Sequence, residues 1–133
     1  GHTVVSTVHS GPAGAAHLRI ALLCQKRFPI DFDTSLTQAA QAFPVVVYAH
    51  KLENNARKCM DISECVITAG GNREYNCLYS YQITKNTSEN GKLTVEGHFR
   101  KPNFMSDSLK QRLIRYGVPQ DLLDRFFRKE SVG

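Results

Sequence analysis

The side chains able to do chemistry in this chain are five histidines (His2, His9, His17, His50 and His98), four cysteines (Cys24, Cys59, Cys65 and Cys77) and the neighbouring acids Asp31 and Asp33. The histidines lack the His-x-x-x-His spacing of a helical metal site and have no carboxylate at ligand spacing, so no metal is expected. No cysteine pair has the Cys-x-x-Cys spacing of a zinc or redox centre. Cys24 follows His17 closely enough to suggest a nucleophile and its base, but a buried thiol is the commoner role for such a cysteine. Asp31 and Asp33 flank Phe32 and could act as paired acids, although loop carboxylates are usually solvated. Neither a Gly-x-Ser-x-Gly elbow nor a phosphate-binding loop is present. Gly70-Gly71 reads as a turn. The expectation is a protein that binds, with no cofactor and no catalytic constellation.

Aromatic residues supply the binding chemistry. Tyr75, Cys77, Tyr79, Tyr81 and Ile83 fall on one side of an extended run from Glu74 to Thr84, with Leu78 the one exception. Leu93, Val95, Gly97 and Phe99 alternate with Thr94, Glu96, His98 and Arg100 in the next run. Such period-two patterns mark strands with one wet and one dry face. Tyr48, Tyr79, Tyr81, Val95 and Phe99 are the candidate ligand-binding residues, because aromatic walls with a few hydroxyls suit a small amphipathic molecule. A plain packed core with tyrosines reaching its rim is the alternative.

The elements that must position these residues are read as a single domain, with a β-rich meander over 1–102 and a helical tail over 103–133. Thr3 to Val8 is β-branched and predicts a first strand, broken by Gly11-Pro-Ala-Gly14. Alternation from His17 to Phe28 predicts a strand, while the Ala-Leu composition leaves a helix open. Thr34 or Ser35 caps a short helix over Leu36 to Phe43. Pro44 to His50 is apolar enough to be buried on both faces. Glu53 to Ala56 is a turn, Cys59 to Thr68 a strand, and Ala69-Gly-Gly-Asn72 a hairpin turn. A polar turn is expected from Asn86 to Gly91. Ser106 and Asp107 then cap a helix with a Leu109, Leu113 and Tyr116 stripe. Gly117 ends that helix, and Pro119 opens another carrying Leu122, Leu123, Phe126 and Phe127.

Cys65 is expected opposite or diagonal to Cys77 across the Gly70-Gly71 turn, within reach of a bridge. Cys59 and Cys65 on one extended strand would be about 20 Å apart, so the favoured pairs are Cys65–Cys77 and Cys24–Cys59. Asn86-Thr87-Ser88 is a glycosylation sequon. Together these predict a secreted, extracellular protein whose export leader, if it had one, has been removed. The net charge of +5 is spread along the chain rather than gathered, so no nucleic acid is expected as a partner. No apolar run is long enough to span a bilayer, so membrane insertion is not expected.

The order of an aromatic strand, a polar hairpin, a strand ending Gly97-x-x-Arg100-Lys-Pro102, a helix and Gly117-Val-Pro-Gln-Asp-Leu122 resembles the last third of a lipocalin. That family's glycine-x-tryptophan has no counterpart here; Thr3 stands at the tryptophan's place. The resemblance implies a mainly β fold with C-terminal helices: an antiparallel meander forming a partial or complete up-and-down barrel, with a helix packed outside. It implies a carrier of a small hydrophobic molecule, not an enzyme. Glu74-Tyr-Asn-Cys77, with Cys24 as partner, also resembles the tyrosine corner of an immunoglobulin-like domain. That likeness, or an α+β inhibitor-type domain, would imply a protein-recognition module with a solid core and a protein partner.

Overall fold

The computed structural model describes residues 4–127 of the chain. Two helices, α1 (Ala13–Gln25) and α2 (Phe32–Ala42), precede a sheet of β1 (Val45–Lys51), β2 (Arg57–Ile67), β3 (Arg73–Glu89) and β4 (Lys92–Arg100). Helices α3 (Asp107–Arg115) and α4 (Gln120–Phe127) follow. The sheet is an antiparallel meander in the order β1-β2-β3-β4, joined by hairpins. The strands, their order and the two C-terminal helices agree with the sequence reading. The sheet is open, with β1 and β4 as its edges, so the described residues form no closed barrel.

The amino-terminal third differs from expectation. Residues 13–42 are largely helical, so the β-rich meander begins at Val45 rather than at the start of the chain. Residues 4–10 have no regular structure where a strand was expected, and Thr3 lies outside the described residues. The predicted strand from His17 to Phe28 is instead most of α1. Its buried face is Ala13, Ala16, His17 and Ala21, spaced as a helix requires, while Leu18, Leu22 and Leu23 stay exposed. Alanines packed against α2 hide the helical period, because the large apolar residues that carry the usual signal face outward. Helix α2 starts earlier than expected. Asp31, rather than Thr34 or Ser35, is its cap and accepts from the Thr34 amide at 2.9 Å.

The hairpins follow their turn chemistry. Asn90 and Gly91 both have positive φ, at 51° and 75°, as a two-residue type I′ turn demands. The turn is therefore shorter than expected, and Asn86 to Ser88 belong to β3. Gly71, at φ 80°, closes the β2–β3 turn as predicted, with the Thr68 amide donating to the Asn72 carbonyl. Three register shifts mark extra residues in the ladder: Met60 on β2, and Leu78 and Thr84 on β3. Leu78, the one breach of alternation in its strand, is buried at such a bulge. Bulges bend a strand and sharpen its twist.

β1 is half exposed rather than buried on both faces. As the sheet's first edge it has a neighbour on one side only, and Val45 and Val47 remain open. On the C-terminal side, Ser106 caps α3 through the Leu109 amide, Gly117 ends that helix in a left-handed conformation, and the Leu122 amide bonds the Pro119 carbonyl. Leu109 and Leu123 are buried, whereas Tyr116 of the expected stripe is exposed. The side chains of Phe126 and Phe127 and residues 128–133 lie outside the described set.

Candidate ligand groove

Cross-strand partners share a face of the sheet, and this decides which aromatic residues can meet. Val47, Ile62 and Tyr79 form one such row. The next row, Tyr48, Asp61, Ser80 and Arg100, projects to the opposite face, and Tyr81 with Phe99 returns to the first. Tyr48 therefore faces away from Tyr79, Tyr81 and Phe99. Val95 lies two residues from Gly97 and four from Phe99, on their face of β4. The structure thus brings four of the five candidate residues to one face and separates the fifth.

That four-residue face is occupied. Tyr81 is buried, with the Phe99 ring edge-on at 5.2 Å and the Lys58 ammonium 5.3 Å from its own ring. Lys101 sits 6.0 Å over Tyr79 and 5.3 Å over Phe104. Gly97 lies flat beneath Tyr81. A Cβ there would meet the Gln82 carbonyl oxygen and come within 2.7 Å of the ring. These residues are packing, with Phe99 exposed at the rim.

A groove of about 580 Å³ opens elsewhere. One wall is the irregular segment 4–11, the floor is Ala16, His17 and Ile20 of α1 with Phe43, and the other wall is residues 45–49 along β1. Tyr48 is the one ligand-binding candidate from the sequence that lines it. The remaining polar lining is the hydroxyls of Ser6, Thr7 and Ser10 and the imidazoles of His9 and His17.

His17, weighed from the sequence as a base for Cys24, has a different role. It is fully buried, with Nε2 2.9 Å from the Phe43 carbonyl and Nδ1 2.9 Å from the Tyr75 hydroxyl. A carbonyl only accepts, so Nε2 carries the proton and Nδ1 accepts from the phenol. Burial holds the His17 pKa below its ordinary value, partly offset by the Phe43 hydrogen bond. The Tyr75 phenol is pushed up to about 12, first by burial and then by Cys65 beside it. Burial also raises the Cys65 thiol, against smaller opposing effects of Tyr75 and Arg73. Cysteine, phenol and imidazole stand in a row, but the first two are held protonated. A thiol disfavoured as thiolate is a poor nucleophile, and the row fastens α1 to the sheet. The signal in the sequence was a histidine at helical spacing from Ala13, Ala16 and Ala21.

The other chemical candidates separate. Cys24 lies two helical turns beyond His17, roughly 10 Å along the axis, so the two make no nucleophile pair. Asp31 caps α2, and its Thr34 hydrogen bonds hold its carboxyl below the usual range. Asp33 pairs with Arg73 at 2.6 Å, and Arg73 also donates to Thr37, tying α2 to β3. The two acids serve different partners. Glu64, unremarked in the sequence, is 2% exposed and accepts from Asn76, the Ser106 amide and the Ser106 hydroxyl at 2.6–2.8 Å. Through Ser106 it joins the sheet to the start of α3.

All four cysteines are unpaired. Cys65 stands opposite Tyr75, and Cys77 opposite Ser63. The two are diagonal neighbours, about 7–8 Å between Cα atoms by sheet geometry and beyond the usual span of a disulfide. Cys24 and Cys59, the other expected pair, are likewise free thiols, and burial raises the Cys59 pKa. Asn86 is exposed on β3, opposite Val95. Among the described residues no group of His, Cys, Asp and Glu could hold a metal ion, and no helix is long and apolar enough to cross a membrane.

No family model matches the chain, and no curated protein is significantly similar to it.

Proposed function

We propose that this protein is an extracellular binder and carrier of a small hydrophobic molecule, not an enzyme, and that its site is the groove beneath segment 4–11. The observation that carries the reading is the groove itself. Its volume of about 580 Å³ falls in the range of small-molecule sites, and valines, Ile20 and Phe43 dominate its walls. The resemblance of Tyr75 to Leu122 to the last third of a lipocalin supports the same class of ligand. In a lipocalin-like form the meander would stand for part of an up-and-down barrel, with Asn86 carrying glycan on its exposed strand.

Titration with a neutral fluorescent apolar probe tests this. Saturable one-to-one binding is expected, lost in Val46→Lys within the groove and kept in Phe99→Ala on the other face. Absence of saturable binding at micromolar protein overturns it. A protein-recognition module is the second reading, favoured by the exposed Leu18, Leu22 and Leu23 along α1. It gains if the probe binds nowhere and those leucines bury against a protein partner.

A further inference from the structure

The groove is notable for what its lining lacks. None of its described lining residues is a lysine, arginine, aspartate or glutamate. Its titratable groups are His9, His17 and Tyr48. His17 spends both ring nitrogens on Phe43 and Tyr75 and is fully buried, so it has no donor to offer a ligand. His9 lies on the exposed segment. The Tyr48 ring stacks on His50, and its hydroxyl reaches His50 Nδ1 at a long 3.4 Å, a contact that is easily exchanged.

A carboxylate drawn into such a site would lose water and meet no lysine or arginine among the described lining residues, an unfavourable exchange. A hydroxyl or carbonyl loses less and can be satisfied by one neutral hydrogen bond. Resting on the proposed ligand site, we infer that its occupant is an uncharged amphiphile: an apolar chain or ring system with a single hydroxyl or carbonyl head. Its head meets the Tyr48 hydroxyl, and its apolar body lies along Val46, Ile20 and Phe43. Long-chain alcohols are the chemical class, and the corresponding acids are disfavoured by charge.

The test uses the intact chain with aminoanthracene, a neutral fluorescent probe, displaced by dodecanol or by dodecanoate at neutral pH. The alcohol should displace the probe at concentrations about tenfold lower than the acid, or lower still. Tyr48→Phe should weaken the alcohol and leave the acid unchanged. Ser6→Lys places an ammonium on the irregular wall, where Ser6 is exposed and the substitution is tolerated. It should narrow or reverse the preference. Equal or stronger displacement by dodecanoate from the unmodified chain overturns the inference and leaves the groove as a ligand site. Failure of the probe itself to bind overturns the site and this inference with it.

Discussion

His17 shows what a single buried polar residue can do in a small domain. Each ring nitrogen has one partner, and each partner comes from a different part of the chain: Phe43 before β1 and Tyr75 on β3. Its neighbours toward the sheet are Tyr75, Cys65 and Arg73, and His9 lies across the groove. Because the folded state lowers its pKa below the ordinary 6.5, the unfolded chain takes up the proton first as pH falls. The stability that His17 contributes is complete above about 6.5 and is lost as pH drops through that value toward the folded pKa. Urea unfolding at pH 8, 6 and 5 should show a falling midpoint, and His17→Ala should flatten that part of the curve while lowering the whole. An unchanged slope in the variant would contradict the assignment. Glu64 works by similar logic with a carboxylate, where three donors offset the cost of burial. The sequence did not show the partners of either residue, because a hydrogen-bond partner 26, 58 or 42 positions away leaves no local pattern.

Among the elements, β3 and β4 carry most of the aromatic payload, and their pairing depends on one close approach. Gly97 lets the Tyr81 ring lie over the backbone of β4. Gly97→Ala should destabilise the fold by about 2 kcal/mol or more, as an overpacked site does, and denaturant unfolding measures it directly. A variant as stable as its parent would show that Tyr81 does not rest there. The turn expected over Asn86 to Gly91 closes at Asn90-Gly91 alone. Strands β2, β3 and β4 and the Gly70-Gly71 turn were legible because alternation and a glycine pair are local signals of local geometry. α1 was not, since its inward face is alanine and histidine while its leucines look outward. Period-two alternation of leucine and isoleucine with small or polar residues then resembled a strand, and helix propensity decided against it.

For the whole molecule, the consequential feature is a segment without regular structure. Residues 4–11 form one wall of the groove and approach β1, yet they join no ladder. Deleting residues 1–10 leaves α1, which begins at Ala13, and the sheet in place. Far-UV circular dichroism should therefore be nearly unchanged while probe binding is lost. Binding that survives the deletion would put the ligand elsewhere. The β-branched run from Thr3 to Val8 was a fair strand signal, but a strand exists only where a partner completes its hydrogen bonds.

What the amino-acid sequence determined alone were the strand periods of β2, β3 and β4, the turn at Gly70-Gly71 and the stop at Gly117. These depend on neighbours a few residues apart. Which face each tyrosine takes was decided only in three dimensions, because register carries Tyr48 to one side of the sheet and Tyr79 and Tyr81 to the other. The offset of two thiols has the same origin: Cys65 and Cys77 share a hairpin, but its register sets Cys65 opposite Tyr75 and Cys77 opposite Ser63, so the two meet only on the diagonal. A pairing error of one residue reverses every side chain beyond it, so the groove's place could be found only once the strands were laid side by side.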